Sequence, residues 1–205
     1  MRVMIICLIS GFLGSGKTTL MIDLGKRLGR KGKRVAIIVN EVGEVGVDGA
    51  LIDAYGLNSV ELTEGCICCS LSGSLQNTLR VVANDYKADI IFIEPTGIAL
   101  PSKINGIIRT SMVEHESKLG ICVVDAFRAP RIYQEAELFF RRQIEDVDLV
   151  AVNKMELVTP EQLVEVEELV GRLNPKATVL RMSAKEDRGV DEIEVRLVDR
   201  MGGGA

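Results

Sequence analysis

Gly11-Phe12-Leu13-Gly14-Ser15-Gly16-Lys17-Thr18 decides the fold. The stretch matches G-x-x-x-x-G-K-[ST] at every fixed position. An apolar run, VMIICLI at residues 3–9, precedes it. Leu20, Leu24 and Leu28 follow at i, i+4, i+8, one face of a helix. A chance glycine turn is the bland alternative, and the strand before and helix after argue against it. In that context the loop is a phosphate cradle. Gly11, Gly14 and Gly16 let backbone N–H groups, that of Ser15 included, turn toward phosphates, and the helix N-terminus adds its dipole. Lys17 neutralises β- and γ-phosphate charge and is the first catalytic candidate. The Thr18 hydroxyl is placed to ligate Mg²⁺, and Thr19 extends the binding set into the first helical turn.

Outward from the loop, short apolar runs alternate with helical patterns. Further strand candidates are residues 34–39, 90–93, 119–124, 149–152 and 178–180. Most are apolar without alternation, as strands are when helices cover both faces of a parallel sheet. Leu75, Leu79, Val82 and Tyr86 recur at helical spacing, as do Ile104, Ile107 and Ile108. Thr159-Pro160-Glu161-Gln162 reads as a helix start with a capping box, and Asn174-Pro175 as that helix's end. The β-α-β-α order predicts an α/β fold of the P-loop NTPase kind: an open, mostly parallel sheet with helices on both faces. Residues 1–201 are expected to form one P-loop domain, with 202–205 a flexible tail.

The bulk numbers agree with that reading. The chain has 205 residues, enough for one domain with a sizeable core. Its net charge of −4 argues against a nucleic-acid partner. The positive, apolar start could pass for a signal peptide, but the run is too short to span a bilayer and leads straight into the glycine loop. No later segment is long and apolar enough to cross a membrane. Five cysteines, an odd number, speak against a disulfide framework and for reduced thiols in the cytoplasm.

Two turns address the nucleotide. Asn153-Lys154-Met155-Glu156 follows a strand, at the end where open α/β sheets bind ligands. Asn153 is placed to bond the base edge, and the Lys154 stem to lie along the ring. The Glu156 carboxylate can accept both N–H donors of guanine, which selects GTP over ATP. Ser183-Ala184-Lys185 can flank the base from the other side. An ordinary strand-to-helix turn with a solvated glutamate is the alternative. Glu94-Pro95-Thr96-Gly97 follows another strand. Glu94 can hold Mg²⁺ through water, and the Gly97 N–H can meet a γ-phosphate. A helix-capping acid before Pro101 is the bland reading of Glu94.

Cys66, Cys68 and Cys69 crowd into one short loop. Thiolates are soft ligands suited to zinc, copper(I) or related metals, and an incomplete site suits transfer. Glu41 and Glu44 are nearby candidates for another ligand. A redox pair and plain packing remain open. Cys7 and Cys122 lie inside apolar strands and read as packing residues. His115, in a polar stretch, reads as a surface residue.

These motifs resemble the GTPase domain of CobW-type metallochaperones, relatives of the nickel-insertion GTPases of urease and hydrogenase. The matching stretches are GFLGSGKTTL (11–20), NEVGEVGVDGALI (40–52), ELTEGCICCSL (61–71), EPTGIALP (94–101), VVDA (123–126) and QIEDVDLVAVNK (143–154). The resemblance implies a GTP-hydrolysing metal carrier; zinc, cobalt, nickel and iron are all open as its metal. Cys66, Cys68 and Cys69 would bind the metal, and nucleotide state would control release. Glu94 matches the glutamate of the E-x-x-G switch, and Glu41 a position near Mg²⁺ and the γ-phosphate. Partners would be a client metalloprotein or cofactor-pathway protein, and a second copy in a GTP-promoted dimer. The sequence departs from the family in carrying Glu156 where N-K-x-D has aspartate, and at 205 residues it is expected to hold the GTPase domain without the carboxyl-terminal domain of typical members. A small-molecule kinase and a non-catalytic metal or redox module are the competing functions. The first lacks an arginine-rich lid, and the intact Lys17 and Thr18 oppose the second.

Overall fold

Continuous apolar runs become strands whose two faces both meet helices. In the computed structural model, which describes residues 4–39, 58–61 and 72–202, β1 (Ile5–Ser10) is buried along its whole length. Ile5, Cys7 and Ile9 enter one core cluster while Ile6 and Leu8 enter another. The period of two is present, but both faces are apolar, so the sequence shows no alternation.

The other strands are β2 (Val35–Val39), β3 (Asn58–Glu61), β4 (Ile90–Glu94), β5 (Ser117–Asp125), β6 (Leu149–Asn153) and β7 (Thr178–Arg181). They form one seven-stranded sheet in the order β3-β2-β4-β1-β5-β6-β7. Every pairing is parallel. β1 therefore lies between β4 and β5, and the chain turns to opposite sides of the sheet around it. The six runs read from sequence are all strands. β3 is the seventh, and its Asn-Ser-Val-Glu carries no apolar run because it sits at the sheet edge.

Helix α1 (Lys17–Arg30) places Leu20, Leu24 and Leu28 in the first cluster, with Val190, Ile193 and Leu197 of α6 (Val190–Arg200). The opposite face is covered by α2 (Ser72–Val81) and α3 (Pro101–Thr110) on one half. The other half is covered by α4 (Ala129–Ile144) and α5 (Pro160–Leu173). Both arms of the expected capping box form: Gln162 N–H donates to Thr159 Oγ1, and Thr159 N–H donates to Gln162 Oε1. Asn174 ends α5, and its side chain donates to the Ile144 and Val147 carbonyls at 2.8 and 3.0 Å. That bond ties the end of α5 to the end of α4.

Cys7 and Cys122 are fully buried core residues. Burial pushes the Cys122 thiol up to about 12, against a smaller opposing pull from Ser10 and Lys17. It pushes Cys7 higher still, helped by the negative Asp148. Neither is a thiolate near neutral pH. His115 is half-buried and bonds the nearby Val113 carbonyl, just before β5 begins. The helix α6 runs to Arg200, and the described chain stops at Gly202, so most of the expected tail lies outside the described residues.

Candidate nucleotide site

The carboxyl ends of β1, β4, β5, β6 and β7 bring the candidates among the described residues to one end of the sheet. The loop after β1 turns on Gly11, Gly14 and Gly16, all at positive φ. Gly16, at φ +103°, leaves no room for a Cβ, which would collide with the Asn153 carboxamide. Any side chain there would part the loop from β6. Ser15 is buried within the loop, while Thr19 is exposed.

Glu94 ends β4 and faces the start of α1. The Thr18 hydroxyl lies 2.9 Å from both of its carboxylate oxygens. The Lys17 ammonium lies 3.6 Å from Oε1 and 3.4 Å from the Phe12 carbonyl. Lys17 and Glu94 are both buried. The pair holds two opposite charges where water is scarce, so each depends on the other and on what else arrives. The hydroxyl and carboxylate oxygens converge as a hard, oxygen-rich donor set, which fits Mg²⁺. Gly97 follows, packed so closely under the phosphate loop that a Cβ would lie 2.7 Å from the Leu13 nitrogen. The turn after β4 and the loop crown thus touch backbone to backbone.

Asn153, expected at the base edge, joins two loops through its carboxamide: Nδ2 donates to the Ser15 carbonyl at 2.7 Å, and Oδ1 accepts from the Ala184 N–H at 2.9 Å. Its first role in this structure is to hold the phosphate loop against the turn after β7. Met155 N–H adds a second link to the Met182 carbonyl. Ser183 is buried and accepts the Glu186 N–H, while Lys185 is exposed. Glu156 has one buried carboxylate oxygen, Oε2, with no hydrogen-bond partner among the described residues.

Lys154 does not extend freely. Its ammonium contacts Asp125 Oδ2 at 2.7 Å. Asp125 ends β5 and is itself buried. Its Oδ1 accepts the Phe127 and Arg128 N–H groups, both at 3.1 Å, and Oδ2 also accepts Arg128 Nε at 2.7 Å. Arg128 Nη2 reaches on to the Leu13 carbonyl at 2.8 Å. Burial alone would raise the Asp125 pKa, but the bonds from Lys154 and Arg128 outweigh it and hold the carboxyl below its ordinary range. Asp125 lies within the stretch 123–126, which in the sequence carries no sign of what its carboxylate holds. An acid at a strand end, three residues before an arginine and with Pro130 starting a helix, was the available signal.

Glu41, Glu44, Cys66, Cys68 and Cys69 lie outside the described residues. Among the described residues, no group of three or more His, Cys, Asp or Glu could hold a metal ion. No described helix is long and apolar enough to cross a membrane.

Known proteins resemble the chain in sequence and in fold. Residues 5–181 match the family model for the CobW/HypB/UreG nucleotide-binding domain. The zinc chaperone YeiR of Escherichia coli K12 is 35% identical over 162 residues, covering 75% of this chain and 47% of that protein. The zinc chaperone CobW of a Sinorhizobium species is 30% identical over 203 residues, covering 84% and 57%. The chain thus spans about half the length of these relatives. In fold it is similar to the hydrogenase maturation factor HypB of Archaeoglobus fulgidus, with a TM-score of 0.73 at 17% identity, covering 97% of this chain and 90% of that one. With the phosphate loop, the Glu94 turn and the Asn153 clamp in place, the chain belongs to the CobW/HypB/UreG nucleotide-binding family.

Proposed function

We propose that this domain binds and hydrolyses GTP and uses its nucleotide state to load or release a metal ion held by Cys66, Cys68 and Cys69. One observation carries the hydrolytic half. The Glu94 carboxylate lies 2.9 Å from the Thr18 hydroxyl and 3.6 Å from the Lys17 ammonium, beside a glycine loop built for phosphate. Thr18 and Glu94 would hold Mg²⁺, which neutralises charge on the β- and γ-phosphates when bound. Lys17 faces the same phosphates, and Gly97 is close enough to the loop crown to sense the γ-phosphate. Family membership supports the assignment of GTP. So does the buried Glu156 Oε2, which has no partner among the described residues and is an acceptor suited to the guanine N–H edge. Glu41 is proposed beside Mg²⁺ on the resemblance alone.

Zinc is the first metal to test, because the relatives quoted above are named zinc chaperones; cobalt and nickel are the alternatives. A thiolate carrier needs a reducing compartment, which favours the cytoplasm. The partners proposed are a client metalloprotein and a second copy of this chain. Leu13, Ile98 and Phe127, on the loops around the site, are 73%, 64% and 65% exposed and offer an apolar rim for such contact.

The test is phosphate release from GTP and ATP, followed by zinc titration of the GDP-bound and GTP-analogue-bound protein, with molecular mass read by light scattering. GTP should be turned over faster than ATP, and Lys17→Ala should abolish tight binding. Zinc affinity should differ between nucleotide states by roughly 5- to 150-fold, the usual span of coupling. The Cys66, Cys68, Cys69 triple serine variant should lose that binding. Equal zinc affinity in both states would refute the coupling, and an unchanged GTP-analogue affinity in Lys17→Ala would refute the phosphate site. An unchanged mass would refute the dimer.

A further inference from the structure

The carboxylate of Asp125 is placed between two halves of the site that the sequence leaves far apart. On one side is Lys154, in the turn assigned to the base, at 2.7 Å. On the other is Arg128, at 2.7 Å, whose far nitrogen holds the Leu13 carbonyl in the crown of the phosphate loop. The order is Lys154–Asp125–Arg128–Leu13, three consecutive polar contacts of 2.7–2.8 Å. Each involves at least one charge, the class of hydrogen bond that is short and strong. Asp125 cannot easily turn away, because its other oxygen caps the Phe127 and Arg128 N–H groups and the carboxylate is buried. Backbone register adds a rigid base: Asp125 pairs with Asn153 across β5 and β6, and the Ala126 N–H donates to the Asn153 carbonyl at 2.8 Å.

We propose that Asp125 is a positioning residue that couples the base-binding turn to the phosphate loop, so that Lys154 and Arg128 act on bound nucleotide as one unit. It touches no reacting atom and acts through its two cations. When Lys154 is held along the base, its ammonium stays on Asp125, and Asp125 keeps Arg128 over the loop crown. Loss of the carboxylate frees both. Arg128 then no longer fixes the Leu13 carbonyl, and the loop pays the ordering cost when phosphate binds. The proposal rests on the reading that Lys154 lies against the base.

The test is a double-mutant cycle on GDP affinity, measured by calorimetry on the full chain. Lys154→Ala and Arg128→Ala should each weaken GDP on the order of tenfold, the value of a charge-assisted bond. Their combination should cost well under the product of the two, because each single change already breaks the shared brace. Asp125→Asn, nearly the same shape without the charge, should weaken GDP in the parent chain but by less than about twofold in the double-variant background. Arg128→Lys keeps a partner for Asp125 but not the fork to Leu13, so it should behave as Arg128→Ala does. A merely structural Asp125 would lower the melting temperature and leave the two single effects multiplicative. Multiplicative effects of Lys154→Ala and Arg128→Ala would overturn the coupling even if Asp125→Asn fails to fold. An inert Lys154→Ala would overturn the base reading, and the proposal with it. Active Lys154→Ala and Arg128→Ala beside a silent Asp125→Asn would overturn the brace alone.

Discussion

Glu94 and Asp125 hold matching places in the sheet. Their strands, β4 and β5, flank β1 on either side, and each strand ends in a buried carboxylate beside the phosphate loop. Their surroundings differ. Glu94 faces Thr18 and Lys17, groups that an arriving triphosphate and its cation would engage. Asp125 is ringed by two cations and two backbone N–H groups of its own chain. One acid is set against groups of the ligand-binding loop, the other is consumed in holding that loop in place. Position at a strand end brings an acid to the site, but the donors around it decide whether it acts on the ligand or on the protein.

The sharpest way to break the comparison is to remove charge from each acid in turn. Glu94→Gln keeps the size and loses the charge that would share Mg²⁺ with Thr18. We expect GTP turnover to fall by about 100-fold, comparable to removing one electrostatic catalytic contact. Nucleotide affinity measured in excess chelator should change little. Asp125→Asn should show the reverse, weakening nucleotide to the same degree with Mg²⁺ or with chelator. If both variants respond alike to chelator, the two acids do not divide the work in this way.

A smaller effect is expected at the base. Glu156→Ala should weaken GTP on the order of tenfold more than ATP, the value of about one charge-assisted hydrogen bond. Competition of GTP and ATP for the same variant measures this directly. Equal losses for the two nucleotides would show that Glu156 does not read the base.

The difference between the acids also explains what was legible in the sequence. The phosphate loop is local: all eight residues are contiguous, and the strand and helix around it are visible as an apolar run and a leucine face. Glu94 was found because a strand end next to such a loop is a strong place for an acid. Asp125 stands in an equivalent place, but its meaning depends on Lys154 and Leu13, residues distant in sequence and brought together by β5–β6 pairing and by the packing of Arg128. Asn153 reads as a ligand contact because the ends of open sheets bind ligands; its engagement with Ser15 and Ala184 needs three loops at once. β3 lies at the sheet edge beside β2, and its Asn-Ser-Val-Glu has no apolar run to mark it as a strand. The break in helical geometry at Ala136 within α4, φ −145° and ψ 48°, left no mark such as glycine or proline nearby.

The smallest effect concerns acid stability, and its sign follows from the Asp125 surroundings. Burial pushes this carboxyl's pKa up, while the Lys154 and Arg128 bonds push it down, and the second influence prevails. A depressed native pKa means the folded state favours the ionised form over the unfolded chain, whose aspartate titrates near about 3.9. The contribution is therefore complete above that value and is lost as pH falls through the lower native one. Only the surplus over the burial cost appears as stability, which is why this is the weakest of the three effects. Glu194 is a second depressed carboxyl: burial raises it, and Lys31 and Arg27 more than offset the rise. It is common to the parent chain and the variant, so it cancels in their difference. Urea midpoints of the parent chain and Asp125→Asn should differ by a constant amount from about pH 7 to pH 5 and converge as pH drops below about 4. A gap as wide at pH 2.5 as at pH 6 would mean that the Asp125 charge does not hold its two cations in the folded protein, and that shape alone accounts for its place between them.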